Sequence, residues 1–202
     1  MSWSARVAIA LFGLLGLLSA HSAHALNPVD FEGLPDGTPL TTQVAGATFS
    51  NAVVLSSGIS LNEFEFPPHS GVSVASDNSG TMQIVFNTAV VELSAFFTYA
   101  VPLTLTGFDA GGQSVAVAAS LFSSNLALSG DVGSSANERI SLAAAAGISR
   151  LVIAGDAFGA SFVIDDLAAT AVPEPATYAL MFGGLWLVAA AARARGTQEA
   201  KP

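Results

Sequence analysis

The chain has 202 residues and no cysteine, which excludes disulfides, thiolate metal sites and cysteine nucleophiles together. Its net charge is −9, and between residues 26 and 172 thirteen acids face only two basic residues, Arg139 and Arg150. Nucleic acid is thereby excluded as a partner, because binding phosphates takes Lys and Arg, and anionic lipid heads would repel the same segment.

The N-terminus carries one positive residue, Arg6, followed by an apolar run from Val7 to Leu18 and the small-x-small triplet Ala23-His24-Ala25. This order predicts a secretory signal peptide over 1–25, cut between Ala25 and Leu26. The apolar run is shorter than the roughly 20 residues that span a bilayer. His21 and His24 leave with the peptide, so neither is a ligand of the mature protein.

Residues 26–171 read as one β-rich domain. Pro35-Asp36-Gly37 is a turn. Met82, Ile84 and Phe86 alternate with Thr81, Gln83 and Val85. Val91, Leu93, Ala95, Phe97 and Tyr99 then share one face, with Glu92, Ser94, Phe96 and Thr98 on the other. Leu103–Thr106 and Ser114–Val117 repeat the alternation, and the segment from Phe108 to Gln113 between them is a hairpin turn with Asp109 in it. Further strands are expected at Arg139–Leu142, Ser149–Ala154 and Ser161–Ala168. Period two over short runs means strands that are wet on one face. Ala143–Ala146 favours helix but is too short to stand alone. Asn62–Ser70 and Ser120–Ser135 are loops. Nine or ten strands without a substantial helix predict an all-β fold, an antiparallel β-sandwich that is jelly-roll-like, with an immunoglobulin-like sandwich as the second choice.

The last segment, 172–202, has a different design. Pro173-Glu174-Pro175 leads directly into uncharged residues 176–192, and Arg193 and Arg195 follow in a basic tail, 193–202. The apolar stretch predicts a single transmembrane helix at the short limit of length. The two arginines act as a basic stop and place that end in the cytoplasm. Each proline fixes φ and lacks an N–H, so the triplet stays extended where a processing enzyme could read it.

A Pro-Glu-Pro triplet, an apolar helix and a basic end, following a signal peptide, resemble the PEP-CTERM sorting signal. The resemblance implies that an exosortase, a membrane-embedded transpeptidase, recognises Pro173, Glu174 and Pro175. It implies export through the inner membrane, transient anchoring, and then release to the periplasm and outer envelope or to the extracellular matrix. The ends of the β domain, Asp30-Phe31-Glu32-Gly33 and Phe162 to Leu167, resemble those of jelly-roll domains in PEP-CTERM proteins and in some carbohydrate-binding modules.

Such jelly rolls often tie the first strand to the last with a structural calcium ion. Asp30 and Glu32 at one end, with Asp165 or Asp166 at the other, are the candidate ligands that this resemblance supplies. Strand alternation puts Asp165 and Asp166 on opposite faces, and Asp166 is the one expected to point inward with Phe162 and Ile164. The alternative leaves both acids in solvent. Phe64 and Phe66, in the Asn62–Ser70 loop, are the candidate sugar contacts, against plain packing. Enzyme chemistry has little to work with. The domain holds one histidine, His69, and neither a G-x-S-x-G elbow nor an HExxH motif. The expected function is a non-catalytic envelope or matrix protein associated with exopolysaccharide. A secreted carbohydrate-binding module is the alternative, and a hydrolase comes third.

Overall fold

The computed structural model describes residues 26–172 and 181–189; for Leu26 and Asn27 it describes the backbone alone. Ala23, Ala25, Pro173, Glu174, Pro175, Arg193 and Arg195 lie outside the described residues. So do residues 176–180 and 190–192 of the apolar segment 176–192, whose residues 181–189 are helical and exposed throughout. Among the described residues no helix is long and apolar enough to cross a membrane.

The β domain contains ten strands. They are β1 (Leu26–Val29), β2 (Pro39–Leu40), β3 (Ala47–Ser50), β4 (Ala52–Ser56), β5 (Ser73–Asp77), β6 (Met82–Tyr99), β7 (Thr104–Phe108), β8 (Ser114–Ala119), β9 (Glu138–Ala154) and β10 (Phe162–Ala171). All pair antiparallel in one network ordered β2-β4-β5-β10-β6-β9-β7-β8, with β1 added to β10 and β3 to β6.

Two strands, β6 and β9, are far longer than the 5–6 residues usual for a strand. The alternating runs at 82–86 and 91–99 are both in β6, and those at 139–142 and 149–154 are both in β9. Their mutual register shifts between Val85 and Val90 and again between Val90 and Glu92, so the ribbon bends there. On one side of the bend, β6 pairs with β3 and the end of β9. On the other it pairs with β10 and the start of β9. Burial changes parity across the bend: Met82, Ile84 and Phe86 are buried before it, and Leu93, Ala95, Phe97 and Tyr99 after it. Both sets enter one core with Phe49, Leu105, Ile153 and Ile164. The alanine run Ala143–Ala146 lies within β9 at this bend and ends at Gly147, whose φ of 84° suits glycine.

One expected wet face is covered. Ser94 and Thr98 are buried and Phe96 is half-buried, because the two long loops fold over that side of the sheet. In the 120–137 loop, buried Asn125 behaves like an added strand residue. Its Oδ1 accepts from Tyr99 N, and its Nδ2 donates to Phe97 O and Ser135 O. The 57–72 loop covers a smaller apolar cluster of Leu61, Val74 and Val163.

Asn125→Ala removes three buried bonds and leaves backbone groups unpaired. We expect a loss of about 2–4 kcal/mol in urea unfolding. A loss within about 0.5 kcal/mol, the usual range for surface changes, would mean that the loop is not pinned there.

Candidate functional site

The C-terminal strand and the 57–72 loop meet in a polar knot. Asp165 is fully buried, and its Oδ2 accepts from the backbone N–H groups of His69 and Ser70, both at 2.9 Å. Its Oδ1 accepts from Asp166 N at 2.8 Å. Asp166 then takes His69 Nδ1 at 2.6 Å and Ser70 Oγ at 2.9 Å. The His69 ring lies flat on Phe96, with centroids 3.4 Å apart.

The expectation that Asp166 points inward with Phe162 and Ile164 is therefore corrected: neither acid enters the core, and the buried one is Asp165, under the loop. The cause is a bulge. Asp166 has a φ of 48°, and the register of β10 against β6 slips between Asp165 and Ala168. Core-facing positions are Phe162 and Ile164 before the slip, Leu167 and Ala169 after it. Asp165 shares the outer face with Val163, under the loop, where backbone amides compensate its burial.

Glu32 grips the far end of the same loop, its Oε1 accepting from Val72 N and Ser73 N at 2.7 Å each. Asp30 closes a local turn onto Glu32 N. Glu32, Asp165 and Asp166 thus meet one loop while Asp30 stays in its own turn, yet each is engaged by N–H or O–H donors, and both oxygens of Asp165 and of Asp166 are occupied. As they stand they do not fit calcium, which takes several free oxygens. Among the described residues no group of three or more His, Asp or Glu side chains is placed to hold a metal ion.

His69 and Ser70 do not form a nucleophile–base pair. Both side chains bond to Asp166 instead of to each other, so the relay that activates a serine is not assembled. Phe66 is half-buried against the Leu61, Val74 and Val163 cluster. Phe64 is exposed. Its neighbour Glu65 ties the two long loops together, accepting from Leu128 N and Ser129 N. Those bonds, the one to Leu128 first, hold the Glu65 carboxyl below its usual range.

A cleft of about 660 Å³ opens between the β1–β2 connection, the Gln43–Gly46 turn and the bend of β6. Val29, Leu34, Val44 and Val90 supply its apolar lining, and Asp30, Glu32, Asn87 and Thr88 its polar groups. Sequence reading missed Asn87 and Thr88, because they sit at the bend, where alternation is lost. Gln43 is spent locally, bonding to Thr41 and Pro39. Among the described residues the Asn87 and Thr88 side chains, both part of the cleft's lining, make no hydrogen bond.

No family model and no curated protein matches the chain. Solved structures similar to it include the K2 cleaved adhesin domain of Lys-gingipain, 14% identical over 71% of this chain and 98% of that one, TM-score 0.46. The CBM22-1 xylan-binding domain of Paenibacillus barcinonensis Xyn10C is 15% identical over 77% and 99%, TM-score 0.40. An arabinose-bound α-L-arabinofuranosidase is 14% identical over 75% of this chain, TM-score 0.45, and the chain spans only 27% of that enzyme. Likenesses this distant transfer no ligand or activity to this chain.

Burial pushes the Asp165 carboxyl up from 3.8 to about 6, against the pull of the N–H donors from Ser70, Asp166 and His69. A raised acid binds its proton more tightly folded than unfolded, so its contribution to stability is largest below 3.8 and is lost as pH rises through 6. Across that window wild type should lose about 1–3 kcal/mol relative to Asp165→Asn. Parallel pH profiles for the two proteins in thermal unfolding would contradict this.

Proposed function

We propose that this is an exported, non-catalytic cell-envelope or matrix protein whose jelly-roll β domain binds neutral polysaccharide in the cleft beside Asn87 and Thr88. The cleft carries the reading. Its size suits a sugar-sized ligand. Its wall offers the free amide and hydroxyl of Asn87 and Thr88 over an apolar lining, and hydroxyl-rich, uncharged ligands are recognised by that combination. The net negative charge of the domain turns away polyanions.

Hydrolysis of a glycoside takes two working carboxyl groups. Of the two in the cleft, Glu32 is committed to the 72–73 backbone, which leaves Asp30 alone. This supports binding over catalysis.

The C-terminal segment gives the domain its address. Pro173, Glu174 and Pro175 are read by an exosortase, and the apolar helix is a temporary anchor. Met181, Phe182, Leu185, Trp186 and Val188 are exposed on the described part of that helix, and an all-round apolar helix suits lipid. Arg193 and Arg195 stop it on the cytoplasmic side.

Affinity electrophoresis through gels containing the host exopolysaccharide, or a neutral galactan, tests the domain. Asn87→Ala with Thr88→Ala should weaken retardation about tenfold, as expected for loss of one or two hydrogen bonds. Equal retardation of both proteins would remove the cleft as the site. Intact mass from the native host tests the address. Starting at Leu26, the chain should end near Pro173 when the exosortase is present and reach Pro202 when it is deleted. A chain running to Pro202 in both strains would contradict sorting.

A further inference from the structure

The turn between β9 and β10 lies at the end of the first stretch of β6 away from the cleft. It presents Phe158 with 90% of its surface exposed. Isolated exposed apolar side chains are ordinary, but this one stands on a turn that is fixed from several sides. Asp77, buried at the end of β5, accepts from Ser161 N, Ser161 Oγ and Phe162 N, and its own carbonyl accepts from Ala160 N. Asp156 Oδ1 accepts from Phe158 N at 2.8 Å.

The neighbouring turn, 78–80, interlocks with it. A Cβ on Gly159, where φ is 83°, would lie 2.7 Å from Ser79 N, and one on Gly80 would lie 2.9 Å from Ala157 O. Phe158 therefore stands beside Asn78 and Ser79, both exposed. Asn51 backs that turn, its Nδ2 donating to Thr81 O, its carbonyl accepting from Asn78 N and its Oδ1 accepting from Ser79 Oγ at 3.5 Å, which leaves the Ser79 oxygen as an acceptor. Among the described residues the Asn78 side chain makes no hydrogen bond. The one charge on these two turns, 78–80 and 155–160, is Asp156, already bonded to the turn it begins.

We infer that Phe158 is a preorganised stacking platform for a neutral sugar ring, with Asn78 and Ser79 bonding to the hydroxyls at the ring's edge. A turn whose backbone is fixed before binding loses little conformational freedom on contact. Ring faces stack on the apolar faces of sugars, while an uncharged amide and hydroxyl rim selects a neutral ligand over a charged one. This rests on the polysaccharide reading above and adds a second point of attachment. Met82 to Asn87 separates the tip from the cleft by roughly 20 Å of extended strand. Two contacts that far apart can engage one polymer together, which raises avidity without raising either affinity.

Affinity electrophoresis on the full chain, with the host exopolysaccharide, neutral galactan and dextran as probes, tests the inference. Phe158→Ala should weaken retardation about threefold to tenfold, Asn78→Ala should weaken it less, and Phe158→Trp should restore it. Melting temperatures of these variants should match wild type, since the ring is exposed. If wild type is retarded and Phe158→Ala is retarded equally, the platform is overturned and the cleft reading stands. If wild type is not retarded by any probe, both fall. Binding to zwitterionic vesicles that Phe158→Ala abolishes, with glycan binding unchanged, would overturn it in favour of a membrane contact.

Discussion

The structure depends on carboxylates accepting hydrogen bonds from backbone amides. The domain has thirteen acids and two arginines, and neither arginine takes a carboxylate. Arg150 lies 4.1 Å over the Phe108 ring, and Arg139 donates to Ser94 Oγ. Positive charge is scarce, so the loops provide partial positive charge through their N–H groups. Asp30, Glu32, Asp36, Glu65, Asp77, Asp109, Asp131, Glu138, Asp156 and Asp165 each accept at least one. Such charge-assisted bonds exceed neutral ones in strength. They let loops as long as 57–72 and 120–137 hold one shape without secondary structure of their own, where loops of that length usually lack one. Rigid loops are in turn what a binding surface needs.

The second constraint is the bend in β6 and β9. Two strands that run through the bend hold the strands on either side of it in one network and set the core on both sides. Residues at the bend are released from the ladder, and Asn87 and Thr88 reach the cleft for that reason. The bulge at Asp165 and Asp166 does the same on β10. It keeps the core pattern on either side while turning two successive carboxyl groups toward the 57–72 loop.

Much of this was legible in the sequence. Period two in 82–86 and 91–99 gave those strands, and the glycines and aspartates of 35–37 and 108–113 gave the turns, because each depends on neighbours in the chain. The joining of two runs into β6, and of two more into β9, was not legible, since a bulge costs one alternation and looks like a loop. The expectation that Asp166 points inward assumed unbroken alternation and failed at the bulge. Ser94, Thr98 and Phe96 looked solvent-facing because the loops that cover them are distant in sequence. Glu32, Asp165 and Asp166 all bond to the 57–72 loop or its edge, but the donors that engage Glu32 and Asp165 are backbone groups, which no side-chain pattern announces. Phe158 carried a weak signal, an aromatic between alanine and glycine in a turn.

The domain's acidity, read first as a statement about partners, is thus also the means by which its loops are held. Amide hydrogen exchange measures this most directly. The N–H groups of His69, Ser70, Val72, Ser73, Leu128 and Ser129 lie in loops or at a strand's first residue, yet each is bonded to a carboxylate. The account predicts that they exchange far more slowly than the same residues in an unstructured peptide, and that Glu32→Gln speeds Val72 and Ser73 while leaving His69 and Ser70 protected. Exchange at peptide rates in the wild-type protein would contradict it.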